Sequence, residues 1–335
     1  MPNLSPRTIV FTHGGGRFAN QLYNYAHLLA FIYEYPGEFE FVHMAFWQYA
    51  EFLALGSQDF LCTGGQMATR ARHPRLGWLA QQMSWLGINN DTIIKRFCIW
   101  LLYLWYGNPL ARQSQTIANS EDWLIARQLP AFNLAKRSTW QELCAARTTY
   151  FSGFNFCDWQ LVTKHWPLIR DRLQIHPQYQ ELGHTFIDKL RQRHLLLIGV
   201  MVRQSDYRTW AGGRYFFETA QYADWLTQAS KLFPEHSPTA IGFVLASDEP
   251  QDLAAFSGIP VYFTTGMAGQ AGHYIESFVE LSLCDYLLTP PSTFSMWAAL
   301  LGDVPLLALL SSEQKLNRSD FLPPQQFELL NATAI

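Results

Sequence analysis

Leu195–Val202, LLLIGVMV, is an unbroken apolar run. A strand with one face in water alternates polar and apolar residues, whereas a run like this one belongs to a strand buried on both faces of a parallel sheet. Four more short runs follow, at Ile241–Ala246, Val261–Phe263, Tyr286–Leu288 and Pro305–Ala308. The segments between them, Phe217–Phe233, Gln251–Phe256, Tyr274–Leu283 and Thr293–Leu301, read as helices. Strands alternating with helices predict a parallel sheet with right-handed crossovers. The second half is therefore expected to be Rossmann-like.

The first half opens in the same way. Thr8–Thr12 reads as a strand, followed by His13 and three glycines, and Leu22, Tyr25, Ala26, Leu29 and Ile32 then recur at helical spacing. Phe39–Val42 reads as a second strand, and the aromatic-rich stretch from Trp47 to Phe156 as mostly helical. With 335 residues there is length for two domains with full cores. The expected class is α/β, two Rossmann-like domains facing a cleft with an aromatic-rich helical insertion in the first. The more polar stretch Asp171–Arg193 puts the junction between residues 182 and 183, giving domains 1–182 and 183–335.

Charged residues make up 15% of the chain and aromatics another 15%, a balance that favours a compact enzyme or carbohydrate-handling protein over disorder. A net charge of −3 argues against nucleic acid as a partner. The five cysteines form no CxxC pair, which fits a reducing compartment, and MPNLSPRTIVF carries no apolar signal region. A cytoplasmic location is expected. Phe97–Tyr106, FCIWLLYLWY, is too short for the roughly 20 residues of a membrane span. It reads either as a buried helix or as one lying in a membrane interface, which keeps peripheral contact with the inner membrane face open.

Several clusters carry chemistry-bearing side chains. Arg203 follows the first strand of the second half, with Asp206 and Tyr207 close behind; the carboxyl ends of such strands are where open α/β sheets bind ligands, and a guanidinium suits phosphate. An ion pair between Arg203 and Asp206 is the plainer alternative. In HGGGRFANQ, Gly15 and Gly16 let backbone N–H groups approach a ligand, and Arg17 and Asn20 suit an anion or hydroxyl. Gly14, Gly16 and Ala19 also satisfy the weak G-x-G-x-x-A dinucleotide pattern. Ser247 and Asp248 follow the strand IGFVLA, where they either meet a ligand or cap the next helix. Pro290 and Pro291 force a helix to start after them, which puts Ser292 and Thr293 at a positive helix end able to hold phosphate or simply to cap. Glu276 and Glu280 share one helical face. There is no GxSxG, HExxH, Walker A, Asp-x-Asp or spaced Cys/His set, so no metal site is signalled and any diphosphate must be neutralised by arginine and helix ends.

Taken in order, GGGRFANQLYNYA, MVRQSDY, the SDE at Ser247–Glu249 and LSLCDYLLTPPSTFSMWAALLG resemble the motifs of the fucosyltransferase superfamily of GT-B fold, which includes the α-1,2-fucosyltransferases and protein O-fucosyltransferases. The resemblance covers the second half and about the first 35 residues. It implies a GT-B-like architecture and an inverting, metal-independent glycosyltransferase with no cofactor, moving fucose from GDP-fucose to a carbohydrate acceptor. It further implies that Arg203 contacts the β-phosphate and the departing oxygen. Asn20 would sit on the sugar or acceptor side. Ser292, Thr293 and Phe294 would hold the phosphates and flank the nucleotide, and Asp248 would contact guanine or ribose. Two positions depart from the pattern: the family histidine is Met201 here, and the acidic residue of the penultimate helix falls near Ser277, beside Glu276. Asp206 and Glu276 are the candidate acceptor bases. Open alternatives are another nucleotide sugar as donor, an NAD-dependent oxidoreductase using the Gly14–Ala19 loop, and a catalytically silent carbohydrate-binding module.

Overall fold

The computed structural model describes residues 6–13, 16–55, 63–65, 114–118, 132–134, 136–154 and 156–324. Gly14, Gly15, the Phe97–Tyr106 run, Cys62, Cys98 and most of the expected helical insertion lie outside the described residues. The chain divides into two compact units, Met1–His176 and Pro177–Ile335.

The first unit holds β1 (Arg7–His13), β2 (Phe39–His43), β3 (Ser114–Ala118), β4 (Phe132–Asn133), β5 (Thr148–Ser152) and β6 (Phe156–Cys157). Four of them make a parallel sheet in the order β2-β1-β5-β3, while β4 pairs with β6. Helix α1 (Phe18–Glu34) follows the glycine loop, and its Leu22, Tyr25, Ala26 and Leu29 are at most 1% exposed, as their spacing predicts. His27 fixes the far side of this helix. Its Nδ1 accepts the Asp158 N–H at 3.1 Å, and burial pulls its pKa down to about 3, so the ring stays neutral. One expectation is corrected here. SQTIA and TTYFS, inside the stretch read as mostly helical, are strands, because each is a short threonine-bearing segment that gains its partners from β1 or from its neighbour rather than from local periodicity.

The second unit matches the strand–helix rhythm closely. β7 (Leu196–Val202), β8 (Ile241–Ser247), β9 (Val261–Phe263), β10 (Tyr286–Thr289) and β11 (Leu306–Ala308) form a parallel sheet in the order β11-β10-β7-β8-β9. Every residue of β7 and β8 is buried, as continuous apolar runs require. The helices are α2 (Pro177–Arg191), α3 (Thr219–Ala229), α4 (Tyr274–Ser282) and α5 (Thr293–Gly302). Residue 182, the expected end of the first domain, falls inside α2. That helix packs as one piece on α4, where Gly183 lies so close that a Cβ there would meet Val279 at 2.5 Å. Asp285 locks the same face: it accepts the Leu197 N–H at 2.7 Å and both terminal nitrogens of Arg191 at 3.1 Å.

The α/β class with two Rossmann-like parallel sheets is thus present, one sheet in each unit. Among the described residues no helix is long and apolar enough to cross a membrane, and Cys144 and Cys284 are free thiols.

Candidate active site

In the second unit the chain starts at the central strand β7, moves to β8 and β9 on one side, and returns to β10 and β11 on the other. Strand order therefore reverses between β7 and β10. A crevice opens at the carboxyl ends of such a pair, because the crossovers that follow them depart to opposite faces of the sheet. Arg203 leaves the end of β7, and the Pro290–Thr293 turn leaves the end of β10.

Tyr207 joins the two. Its hydroxyl donates to the Pro291 carbonyl, and its ring lies under the Arg203 guanidinium, 5.0 Å from centroid to Cζ. Burial pushes the phenol well above its ordinary range, and the neighbouring Arg203 and Ser292 pull it the other way. The arginine and the hydroxyl-bearing helix start therefore sit at the same edge of the sheet. Nothing in the sequence around Tyr207 signals this role, because its partner is 84 residues away.

The Arg203 side chain is 16% exposed and held by two carboxylates. Nη1 meets Asp248 Oδ2 at 3.1 Å and Nη2 meets Asp206 Oδ1 at 2.5 Å, while the buried Nε has no partner. The backbone N–H of Arg203 donates to the Tyr222 hydroxyl at 3.4 Å. Asp248 also accepts from the Gln204 N–H at 2.9 Å and the Ser205 hydroxyl at 2.6 Å. Ser247, 5% exposed, accepts from the Glu249 N–H and from Gln251 Nε2, both at 3.2 Å. Gln204 and Gln251 brace this edge through a 2.8 Å amide bond. Neither stands out in the sequence, because a glutamine belongs to none of the catalytic or phosphate-binding motifs.

At the other lip, Ser292 takes the N-cap position of α5, yet its side chain makes no capping bond. The first N–H groups of a helix have no intrahelical acceptor, and the dipole there favours an anion. Thr293 is half-buried beside it. Phe294 is half-buried and lies edge-on to Phe278 of α4 at 5.2 Å.

Glu276 closes a capping box on α4: it accepts the His273 N–H at 3.0 Å with one oxygen and the Thr265 hydroxyl at 2.8 Å with the other. Glu280, wholly buried, accepts the Thr265 N–H at 3.0 Å and lies 2.5 Å from the same hydroxyl. One hydroxyl hydrogen cannot serve two carboxylates, so a carboxyl proton must complete the cluster. Burial supplies it by pushing Glu280 up to about 7, with Glu276 adding to the rise and the Thr265 bonds opposing it. Between the ordinary 4.5 and about 7 the folded chain holds this proton and the unfolded chain does not. The resulting stability is complete below that window and is lost as pH rises through it, by roughly 3 kcal/mol in all. Glu280→Gln is expected to flatten this decline in urea midpoints measured from about pH 4 to 8. An unaltered slope would place the proton elsewhere.

The remaining candidates belong to the first unit. Gly16 has φ +93°, and a Cβ there would meet Asn20 Nδ2 at 1.8 Å, so only glycine lets the loop fold over the half-buried Asn20. Gln21 Nε2 donates to the Gly16 carbonyl at 3.4 Å, and Gly15 lies outside the described residues. Among the described residues no cluster of three His, Cys, Asp or Glu side chains is placed to hold a metal ion.

No family model and no curated protein matches the sequence. Solved structures align along most of the chain at low identity. A variant of FUT1 from Arabidopsis thaliana in complex with GDP has 11% identity and a TM-score of 0.48, covering 95% of this chain and 73% of that one. The fucosyltransferase NodZ from Bradyrhizobium has 14% identity and a TM-score of 0.48, covering 91% and 96%. POFUT1 in complex with GDP-fucose has 12% identity and a TM-score of 0.48, also covering 91% and 96%. These values mark a loose correspondence of chain path, and the chemistry of this edge rests on its own residues.

Proposed function

We propose that this chain is a glycosyltransferase, inverting and metal-independent, that transfers fucose from GDP-fucose to a carbohydrate acceptor. The observation that carries the reading is the meeting of Arg203 with the Pro291–Ser292 turn through Tyr207, at the point where strand order reverses. A guanidinium and a helix start at one crevice form a fitting receptor for a diphosphate. When a nucleoside diphosphate leaves an anomeric carbon, negative charge grows on the β-phosphate, and donors fixed beforehand at that charge lower the barrier. Arg203 is the residue aimed at it, with the start of α5 assisting. Fucose and guanosine come from the resemblance of the sequence motifs, as do the donor-binding role of Gly16 and the sugar- or acceptor-side role of Asn20. The thiols of Cys144 and Cys284 fit a cytoplasmic enzyme.

A second reading, with another nucleotide sugar as donor, is favoured by one feature. Met201, 6% exposed, and Ser277, whose buried hydroxyl donates to Thr264 at 2.8 Å, stand where the family pattern has hydrogen-bonding and acidic groups. Thermal unfolding with GDP, UDP and NAD separates the readings. GDP at about 100 times its Kd is expected to add about 2.7 kcal/mol of stability. A response to UDP alone moves the assignment to another donor, and a response to NAD alone removes the transferase. Product analysis after incubation with GDP-fucose and EDTA then reads anomeric configuration and metal dependence.

A further inference from the structure

We propose that the two carboxylates on Arg203 have different tasks: Asp248 is a positioning residue that fixes the guanidinium, and Asp206 is an exchangeable counter-ion that gives way when a diphosphate arrives. This rests on the reading that Arg203 receives a diphosphate.

Formal charge supplies the first reason. One guanidinium between two carboxylates leaves a net negative centre, which repels the phosphate it is meant to bind, so one carboxylate must withdraw. The side chain of Asp248 is only 9% exposed; it accepts the Gln204 N–H and the Ser205 hydroxyl and is ion-paired with Arg203 Nη1 at 3.1 Å. It follows β8, whose last residue Ser247 pairs in register with Val202, so the backbone that carries Asp248 is fixed against the backbone that carries Arg203. Pulling Asp248 away would strand a buried charge. The side chain of Asp206, in contrast, is 56% exposed and takes its bond from Arg203 Nη2 at Oδ1, because the single Ser205 hydrogen goes to Asp248 at 2.6 Å rather than to Asp206 at 3.2 Å. Exposed pairs of this kind are weak and readily exchanged.

The shape of the guanidinium gives the second reason. Nε–H and one N–H of Nη2 point along the same edge of the planar fork, the edge that grips two oxygens of a phosphate or carboxylate at once. Here Nη1 is committed to Asp248, Nη2 carries a single bond to the exposed Asp206, and Nε is buried with no acceptor. A phosphate bringing two oxygens would replace the one Asp206 bond and satisfy Nε as well. Asp248 would hold the opposite corner throughout.

GDP affinity by calorimetry and steady-state transfer from GDP-fucose test this with the full chain. Asp206→Asn removes the competing charge and is expected to tighten GDP binding by about two- to five-fold. Asp248→Asn is expected to lower kcat at saturating donor by roughly 100-fold, and Asp248→Glu to recover part of it, with the unfolding temperature of each variant confirming the fold. Asp206→Asn is exposed and keeps the test alive if Asp248→Asn does not fold. Unchanged or weaker GDP binding by Asp206→Asn overturns the exchange, and kcat within two-fold of the parent in Asp248→Asn overturns the positioning role. If the parent chain binds GDP and these outcomes still fail, the proposal alone falls. If the parent binds no nucleoside diphosphate, the transferase reading falls with it.

Discussion

Arg203→Ala is expected to slow transfer by roughly 100- to 1000-fold at saturating donor, the cost of removing one preorganised donor from a developing oxyanion. The fold should survive. Arg203 lies just past the end of β7, and the seven buried residues of that strand keep their pairings to β8 and β10 without it. Asp248 loses its ion pair and keeps the Gln204 N–H and the Ser205 hydroxyl, so the stability loss is about 1–2 kcal/mol. Arg203→Lys sharpens the experiment. It keeps the charge but replaces the planar fork by a point donor that cannot bond two oxygens along one edge. Single-turnover rates measured with GDP-fucose should place the lysine variant much nearer to alanine than to arginine. Recovery to within three-fold of the parent would mean that charge alone matters at this strand end, and near-normal turnover by Arg203→Ala would remove the mechanism.

The second unit is legible in the sequence because its strands are buried on both faces. LLLIGVMV and IGFVLA have no polar position to obscure them, and both appear as strands within a residue of their expected bounds. Helix ends are less legible: Phe217–Phe233 proves to be Thr219–Ala229, because Phe217 and Phe233 are core residues that continue the apolar pattern beyond the helix. In the first unit TTYFS does not announce itself as a strand, since five residues with two threonines give no period to count. The site divides along the same line. A strand-end arginine and a Pro-Pro-Ser turn are local signals. The bonds that make them a site, Tyr207 to Pro291 and Gln204 to Asp248, span 84 and 44 residues and are written only in the topology. Glu276 looks like no more than a face partner of Glu280, because its N-cap is His273, outside the usual Ser, Thr, Asp and Asn of a capping box.

Trp225→Ala should be among the most damaging substitutions in the second unit, and it should reach the site as well as the core. The indole of α3 is wholly buried, edge-on to Phe217 at 4.9 Å and Tyr222 at 5.5 Å, with Nε1–H donating to the Gln314 carbonyl at 3.1 Å. Removing it deletes the largest packing element of this cluster, leaves a cavity and orphans a carbonyl, a combined loss of about 3–5 kcal/mol. For a unit of this size that lowers Tm by on the order of 10 °C. Tyr222 connects this loss to function. Its hydroxyl accepts the Arg203 N–H, and with its edge partner gone the ring gains room to leave that position. The variant, assayed well below its lowered Tm, should therefore show reduced kcat together with reduced stability. A conservative Trp225→Phe, which keeps an aromatic edge against Tyr222 but not the Gln314 bond, separates the two effects: transfer should return while part of the Tm loss remains. If Trp225→Phe restores stability and leaves kcat low, the path from α3 through Tyr222 to Arg203 is not the one that holds the strand end in place.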